Sequence, residues 1–243
     1  MSESPVHEEV VGRVLVATID NGKANALSFE VLAALGAALD RVEGRRSDDS
    51  DESAPGALLI TGRPGMLTGG FDLNVMRSTP QDAGRLVTDG GAFFARCFGS
   101  PVPVVVACTG HAIAAGALLM LAADYRVGAA GEFRIGLIET QIGMVLPRWA
   151  VELSEERLSR RHFQQATVAA RIYDPPGAVD AGFLDVVVEP ERVQAESLAE
   201  AERLAALPAA AYAGQVKMNR GTRLERLAAA VAADRDRSFD VPS

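Results

Sequence analysis

Apolar residues recur along the first half of the chain in two rhythms. Val14 to Ile19 is a short strand-like run, whereas Phe29 to Val42 places Val31, Leu35, Leu39 and Val42 at helical spacing behind Ser28, a plausible N-cap. Ala57 to Thr61 carries Leu58, Leu59 and Ile60 and closes on Gly62, and Val102 to Ala107 repeats that form. Short continuous apolar runs predict strands buried on both faces. Between and after them, Gln81 to Phe98 and the small-residue stretch Ala114 to Ala123 predict helices, and Asp124 to Gly128 another short strand. Strands interleaved with helices imply an α/β architecture. From Ser154 onward the strand signal fades into alanine-rich helices over Glu155 to Ala170, Glu191 to Leu207, Ala209 to Met218 and Thr222 to Arg235, the first set apart by Tyr173 to Gly177. The organisation expected is a core over residues 1–153 that holds the site and a helical, oligomerising part over residues 154–243. Glu43 to Gly56 has almost no apolar residue and is expected to be a solvated, mobile loop.

Composition narrows the function classes. At 243 residues and 48% hydrophobic content the chain can bury a sizeable core, and a net charge of −8 argues against nucleic acid as a partner. The longest apolar run, Ala112 to Ala123, is too short for a membrane span, which needs about 20 residues. Met1 to Glu9 lacks the basic start and apolar stretch of a secretory signal, so a cytoplasmic location is expected. Cys97, Cys108, His7, His111 and His162 are scattered, which predicts reduced thiols and no metal. Lys23 and Lys217 are the only lysines and hence the candidates for an ammonium contact with phosphate.

Three segments set glycine or small residues at the ends of buried strands, where backbone amides can approach a ligand. They are Thr68 to Leu73 (TGGFDL), Gly110 to Gly116 (GHAIAAG), which enters a helix, and Ile135 to Gly143 (IGLIETQIG). A helix N-terminus offers unpaired N–H groups and a positive dipole end to a developing oxyanion. In the third segment Glu139 stands among apolar neighbours, where burial would raise its pKa towards that of a useful general base.

In this order the segments resemble the enoyl-CoA hydratase/isomerase (crotonase) family over nearly the whole chain. The resemblance rests on Gly22 to Leu27 (GKANAL), Gly70 to Leu73, Gly110 to Ile113 with Ala115 and Gly116, Asp124 to Arg126, and Ala178 to Asp185 (AVDAGFLD) followed by Val186 to Val188. It implies an α/β fold of the crotonase type, a spiral of repeated ββα units with a C-terminal helical subdomain, assembled as a trimer or dimer of trimers. It also implies an acyl-CoA thioester as substrate and no cofactor beyond the coenzyme A that the substrate carries. The backbone N–H groups of Phe71 and Ala115 would form the oxyanion hole. The substrate and its CoA moiety would be held around Lys23, Ala24, Ala26, Gly70, Asp72, Leu73, Leu118, Ile138, Met144 and Lys217.

Hydratases of this family carry two glutamates; here the first position is Leu118 and the second Glu139. A lone carboxylate can still take a proton from the carbon alpha to the thioester and return it at the gamma carbon, which is isomerase logic. Isomerase chemistry is therefore the leading expectation. A hydratase of fatty-acid metabolism and a catalytically silent acyl-CoA binder are the alternatives. His111, Asp72 and Asp124 are expected to serve structure.

Overall fold

The computed structural model describes residues 4–46, 54–235, 237 and 239. Strands β1 (Val6–Val11) and β2 (Val14–Ile19) form an antiparallel hairpin that turns at Gly12, whose φ of 56° suits glycine. Helix α1 (Phe29–Arg46) follows, then β3 (Ala57–Thr61), β4 (Gly65–Thr68), α2 (Leu73–Met76) and α3 (Pro80–Gly99). Next come β5 (Val104–Cys108), β6 (Gly110–Ile113) and α4 (Ala115–Ala122), and after them β7 (Tyr125–Ala129), β8 (Ile135–Gly136), a 3-10 turn over Glu139–Ile142 and α5 (Arg148–Arg157). The chain continues through α6 (Arg160–Thr167), α7 (Pro175–Ala181), β9 (Val186–Val188), α8 (Val193–Ala205) and α9 (Ala209–Asp234).

A two-strands-then-helix unit recurs, as β3–β4, β5–β6 and β7–β8 show. In each, the first strand joins a six-stranded sheet of order β1-β2-β3-β5-β7-β9 and the second a three-stranded sheet of order β4-β6-β8. Beyond the β1–β2 hairpin, every pairing between two of these strands is parallel. Leu58 pairs with Val104 and Ile60 with Val106, and these residues pack into the main core with Phe94 and Trp149. The alternate residues Val16, Leu59, Val105 and Val127 pack on the opposite face with Val193, Ala201 and Leu204 of α8. Both faces are thus covered, and the strands read as continuous apolar runs for that reason.

Several expectations need correction. Glu43 is not in a loop, because α1 runs on to Arg46 and the Glu43 carboxylate accepts bonds from Arg96 at 2.5 Å and Ser100 at 3.1 Å. Ala54 to Gly56 are buried, and residues 47–53 of the expected loop lie outside the described residues. The helix expected over Glu155 to Ala170 is broken at Leu158, which is extended, because the Ser159 N–H bonds the Ala181 carbonyl at 2.9 Å. The two helices expected at the C-terminus are one. Helix α9 runs unbroken through Gly221, and the adjacent Arg220 bonds Asp124 and the Phe98 carbonyl, both at 2.6 Å, and ties the helix down there. β9 and α8 lie beyond residue 154 yet complete and cover the six-stranded sheet.

Candidate functional site

Because β4, β6 and β8 are parallel, their C-terminal ends lie at one end of the small sheet, where ligands of α/β proteins gather. The three glycine-bearing segments leave from there. Gly70, with φ 106°, closes the gap between the first two: a Cβ on it would lie 3.1 Å from the Ile113 carbonyl oxygen, 3.2 Å from Ala114 Cβ and 3.4 Å from the Ala115 nitrogen. Standard bond lengths then keep the Phe71 and Ala115 nitrogens within about 7 Å of one another. The second and third segments are joined by the Ala114 N–H, which bonds the Gly136 carbonyl at 2.9 Å.

Both amides are left open by their local structure. Leu27 donates to the Gly70 carbonyl at 2.8 Å and accepts from the Asp72 N–H at 3.1 Å, a parallel bridge centred on Phe71. In that pattern the N–H of the central residue points away from the partner segment. Ala115 opens α4, and the first N–H groups of a helix have no intrahelical acceptor. Among the described residues neither N–H has a backbone acceptor. Ala114, at φ 53° and ψ −120°, makes the sharp turn from β6 into α4. Gly116 lets α4 lie against β4, since a Cβ there would fall 2.6 Å from the Thr68 carbonyl oxygen.

Glu139 opens the 3-10 turn and is only 8% exposed. Burial pushes its carboxyl up to about 7, against the smaller opposing pull of the backbone N–H groups of Glu139 and Ile138. Its Oε2 is buried and has no hydrogen-bond partner among the described residues. The turn is closed by the Met144 N–H on the Glu139 carbonyl at 2.8 Å, by Gly143 at φ 77°, and by Gln141 Nε2 on the Ala170 carbonyl at 2.6 Å. What results is two open amides and a readily protonated carboxyl with one unpartnered oxygen on segments leaving the same sheet end.

The remaining sequence-predicted residues divide. Leu118 is 1% exposed in the apolar core, one turn into α4, with its N–H on the Ala114 carbonyl. Ile138 and Met144 flank Glu139 and are half-buried. Ala24 lies against the first amide segment, its carbonyl accepting the Gly69 N–H at 2.8 Å, and the Ala26 carbonyl accepts from Asn21. Lys23 is exposed, with its carbonyl bonded by Arg63. Asp72 caps α2 through the Asn74 N–H at 2.7 Å, and Leu73 beside it is 51% exposed. Lys217 is exposed on α9, which packs against α3 and α5, and no described contact brings it to the two amides. His111 accepts the Arg134 N–H, and Asp124 accepts from Val104 and Arg220, both structural bonds.

Sequence reasoning missed two supports. Asn25, fully buried at φ 51°, donates to the carbonyls of Ile19 at 2.9 Å and Leu67 at 2.7 Å and accepts the Asn21 N–H at 2.8 Å, so it clamps the strand end before Gly69. An asparagine among small residues was the available signal. Arg157 bonds the Leu121 and Ala123 carbonyls at 3.0 and 2.8 Å and so caps the far end of α4. Its guanidinium is lowered to about 10 by burial and then by Arg126 and Arg220. No local pattern could reveal that cap.

Comparison with known proteins shows the family and the fold. The sequence profile of the family described as enoyl-CoA hydratase/isomerase matches residues 9–242. Human mitochondrial enoyl-CoA delta isomerase 1 is 32% identical over 200 residues, covering 80% of this chain; the match spans 63% of the human protein. Among solved structures, an enoyl-CoA hydratase/isomerase family protein from Pseudomonas syringae is 40% identical with a TM-score of 0.90, covering 96% of this chain and 98% of that one. An apo enoyl-CoA isomerase from Mycobacterium tuberculosis is 36% identical with a TM-score of 0.86, over 95% and 97% of the two chains.

Proposed function

The chain belongs to the enoyl-CoA hydratase/isomerase family, and on that premise we propose that it binds a 3-enoyl-CoA thioester and moves the double bond to the 2,3 position. The thioester carbonyl accepts the Phe71 and Ala115 N–H groups, which supply the oxyanion hole, with the dipole of α4 adding positive potential. Glu139 Oε2 takes a proton from C2. The C–H electron pair moves towards the carbonyl and gives a dienolate, whose negative charge the two amides hold. The protonated Glu139 then returns the proton to C4, the C2=C3 bond forms and the carboxylate is regenerated. No water, metal or redox partner enters this balance, and coenzyme A takes part only as the thioester-bound arm of the substrate, whose C–S bond stays intact.

The observation that carries this reading is the pairing of one buried carboxyl, whose Oε2 has no partner among the described residues, with an apolar Leu118 where hydratases of the family hold a second glutamate. A water molecule added across C2=C3 must be oriented as well as deprotonated, and leucine cannot do the former. A proton carried between two carbons needs a single group whose pKa lies near the working pH. The deciding experiment is turnover of 3-enoyl-CoA and 2-enoyl-CoA side by side. Efficient isomerisation with weak hydration supports the proposal, efficient hydration makes the protein a hydratase, and binding without turnover makes it a silent acyl-CoA binder.

The proposal includes a cytoplasmic location and a homotrimer or dimer of trimers. Among the described residues no helix is long and apolar enough to cross a membrane. Val168, 60% exposed, and Met218, 83% exposed, are aliphatic side chains that a subunit interface would cover.

A further inference from the structure

Phe71 contributes more than an amide. Its ring stacks on Phe94 with centroids 6.3 Å apart, and Phe94 in turn packs on the buried Trp149 at 5.6 Å. Phe94 belongs to α3, and the other two rings meet that helix where Gly90 and Gly91 stand side by side in its interior. A Cβ on Gly90 would fall 2.4 Å from two carbons of the Phe71 ring, and one on Gly91 would fall 2.7 Å from Trp149 Nε1. Glycine weakens a helix interior, so this pair has a use only as a notch into which the rings sink. The Phe71 ring is thus lodged against α3, while its backbone is held from the other side by Leu27 through Gly70 and Asp72. Fixing a residue at both the ring and the flanking peptides fixes the direction of its N–H.

Resting on the isomerase reading, we infer that Gly90 is a positioning residue for the first oxyanion donor. A methyl group at residue 90 drives the Phe71 ring about 1 Å outwards to reach ordinary contact distance, and the displacement passes through Cα to the amide. Misplacement of that size in a preorganised site costs rate while leaving most of the substrate's contacts intact.

The test is a double-mutant cycle over Gly90→Ala and Phe71→Leu, with kcat and KM for 3-enoyl-CoA, the Kd of a saturated acyl-CoA, and Tm measured on each protein. Leucine keeps the backbone N–H and removes the two clashing ring carbons. Gly90→Ala in the wild-type background should lower kcat about tenfold or more and change KM and the saturated acyl-CoA Kd less than about twofold. The same substitution added to Phe71→Leu should cost less than about twofold. Equal losses in both backgrounds, or a Gly90→Ala protein that loses Tm but keeps its kcat, overturn the inference. If Gly90→Ala fails to fold, the double variant must fold and turn over substrate as Phe71→Leu does, and its failure counts against the notch. A wild type inert towards both enoyl thioesters overturns the isomerase reading itself; an active wild type with additive losses overturns this inference alone.

Discussion

The Ala114 N–H bonds the Gly136 carbonyl at 2.9 Å, which fastens the segment bearing Ala115 to the segment bearing Glu139. The bond is made from a strained backbone, since Ala114 sits at φ 53° and ψ −120°, a conformation that glycine adopts freely. Such strain costs an alanine about 1–3 kcal/mol, whereas the extra chain entropy lost by a glycine is roughly 0.5–1 kcal/mol. Ala114→Gly should therefore stabilise the protein by about 1 kcal/mol, read as an increase in the denaturant midpoint at unchanged slope. A loss of stability would mean that the Ala114 methyl group contributes more by packing beside Gly70 than it costs in strain.

Proton abstraction requires ionised Glu139, whose carboxyl burial places at about 7. The kcat/KM for 3-enoyl-CoA should rise with pH through that region and level off above it. Glu139→Gln should lower turnover by roughly 100-fold or more, remove that step in the pH profile and leave the affinity for a saturated acyl-CoA little changed. A mutant that keeps the wild-type rate and profile would transfer the acid–base role to another group.

The same carboxyl predicts a pH-dependent stability. Its folded pKa of about 7 exceeds the ordinary 4.5, so between those values the folded protein keeps a proton that the unfolded chain has released. The stability linked to that proton is fully present below about 4.5 and is lost as pH rises through 7. Glutamine carries no such charge. Glu139→Gln should thus gain stability over wild type as pH increases across this window, approaching about 3 kcal/mol, and then hold that margin. Parallel denaturation curves for the two proteins at acid and neutral pH check this; a constant difference would show that Glu139 is well solvated.

Leu118 gives the complementary test. Introducing Leu118→Glu supplies a carboxylate one turn beyond Ala115 and should raise hydration of 2-enoyl-CoA above the wild-type level. It also buries a polar group in an apolar cluster, so Tm should fall. Hydration that stays at background in a folded variant would show that the second carboxylate alone does not orient water here.

How much of this was legible in the sequence depends on where each instruction lies. β3 and β5 are continuous apolar runs because both of their faces are covered, and they could be read directly. β1 could not, since Val6–Val11 carries two adjacent glutamates on an exposed edge and gains its structure from pairing with β2. Gly70, Ala115 and Glu139 were visible because small residues and a carboxylate interrupt apolar stretches. Asn25 and Arg157 were not, because their roles depend on carbonyls distant in sequence, Leu67 for one and Leu121 and Ala123 for the other. The helix end at Arg157 was hidden for a similar reason: a Cβ on Gly182 would lie 2.6 Å from the Arg157 carbonyl oxygen, a crossing of chains that only the folded protein contains.

The parallel order of the large sheet also has a consequence for how the protein is made. β7 acquires its outer neighbour, β9, only after nearly sixty further residues, and α8, which covers the second face, comes later still. During synthesis the apolar faces of β3, β5 and β7 must therefore wait, unshielded on one side, until the last quarter of the chain has emerged. Parallel pairings of such long range are slow to close and leave sticky intermediates. Truncation before Val186 should accordingly yield aggregates rather than a smaller folded protein, and the elements of the C-terminal quarter act as the latch that ends a vulnerable interval on the ribosome.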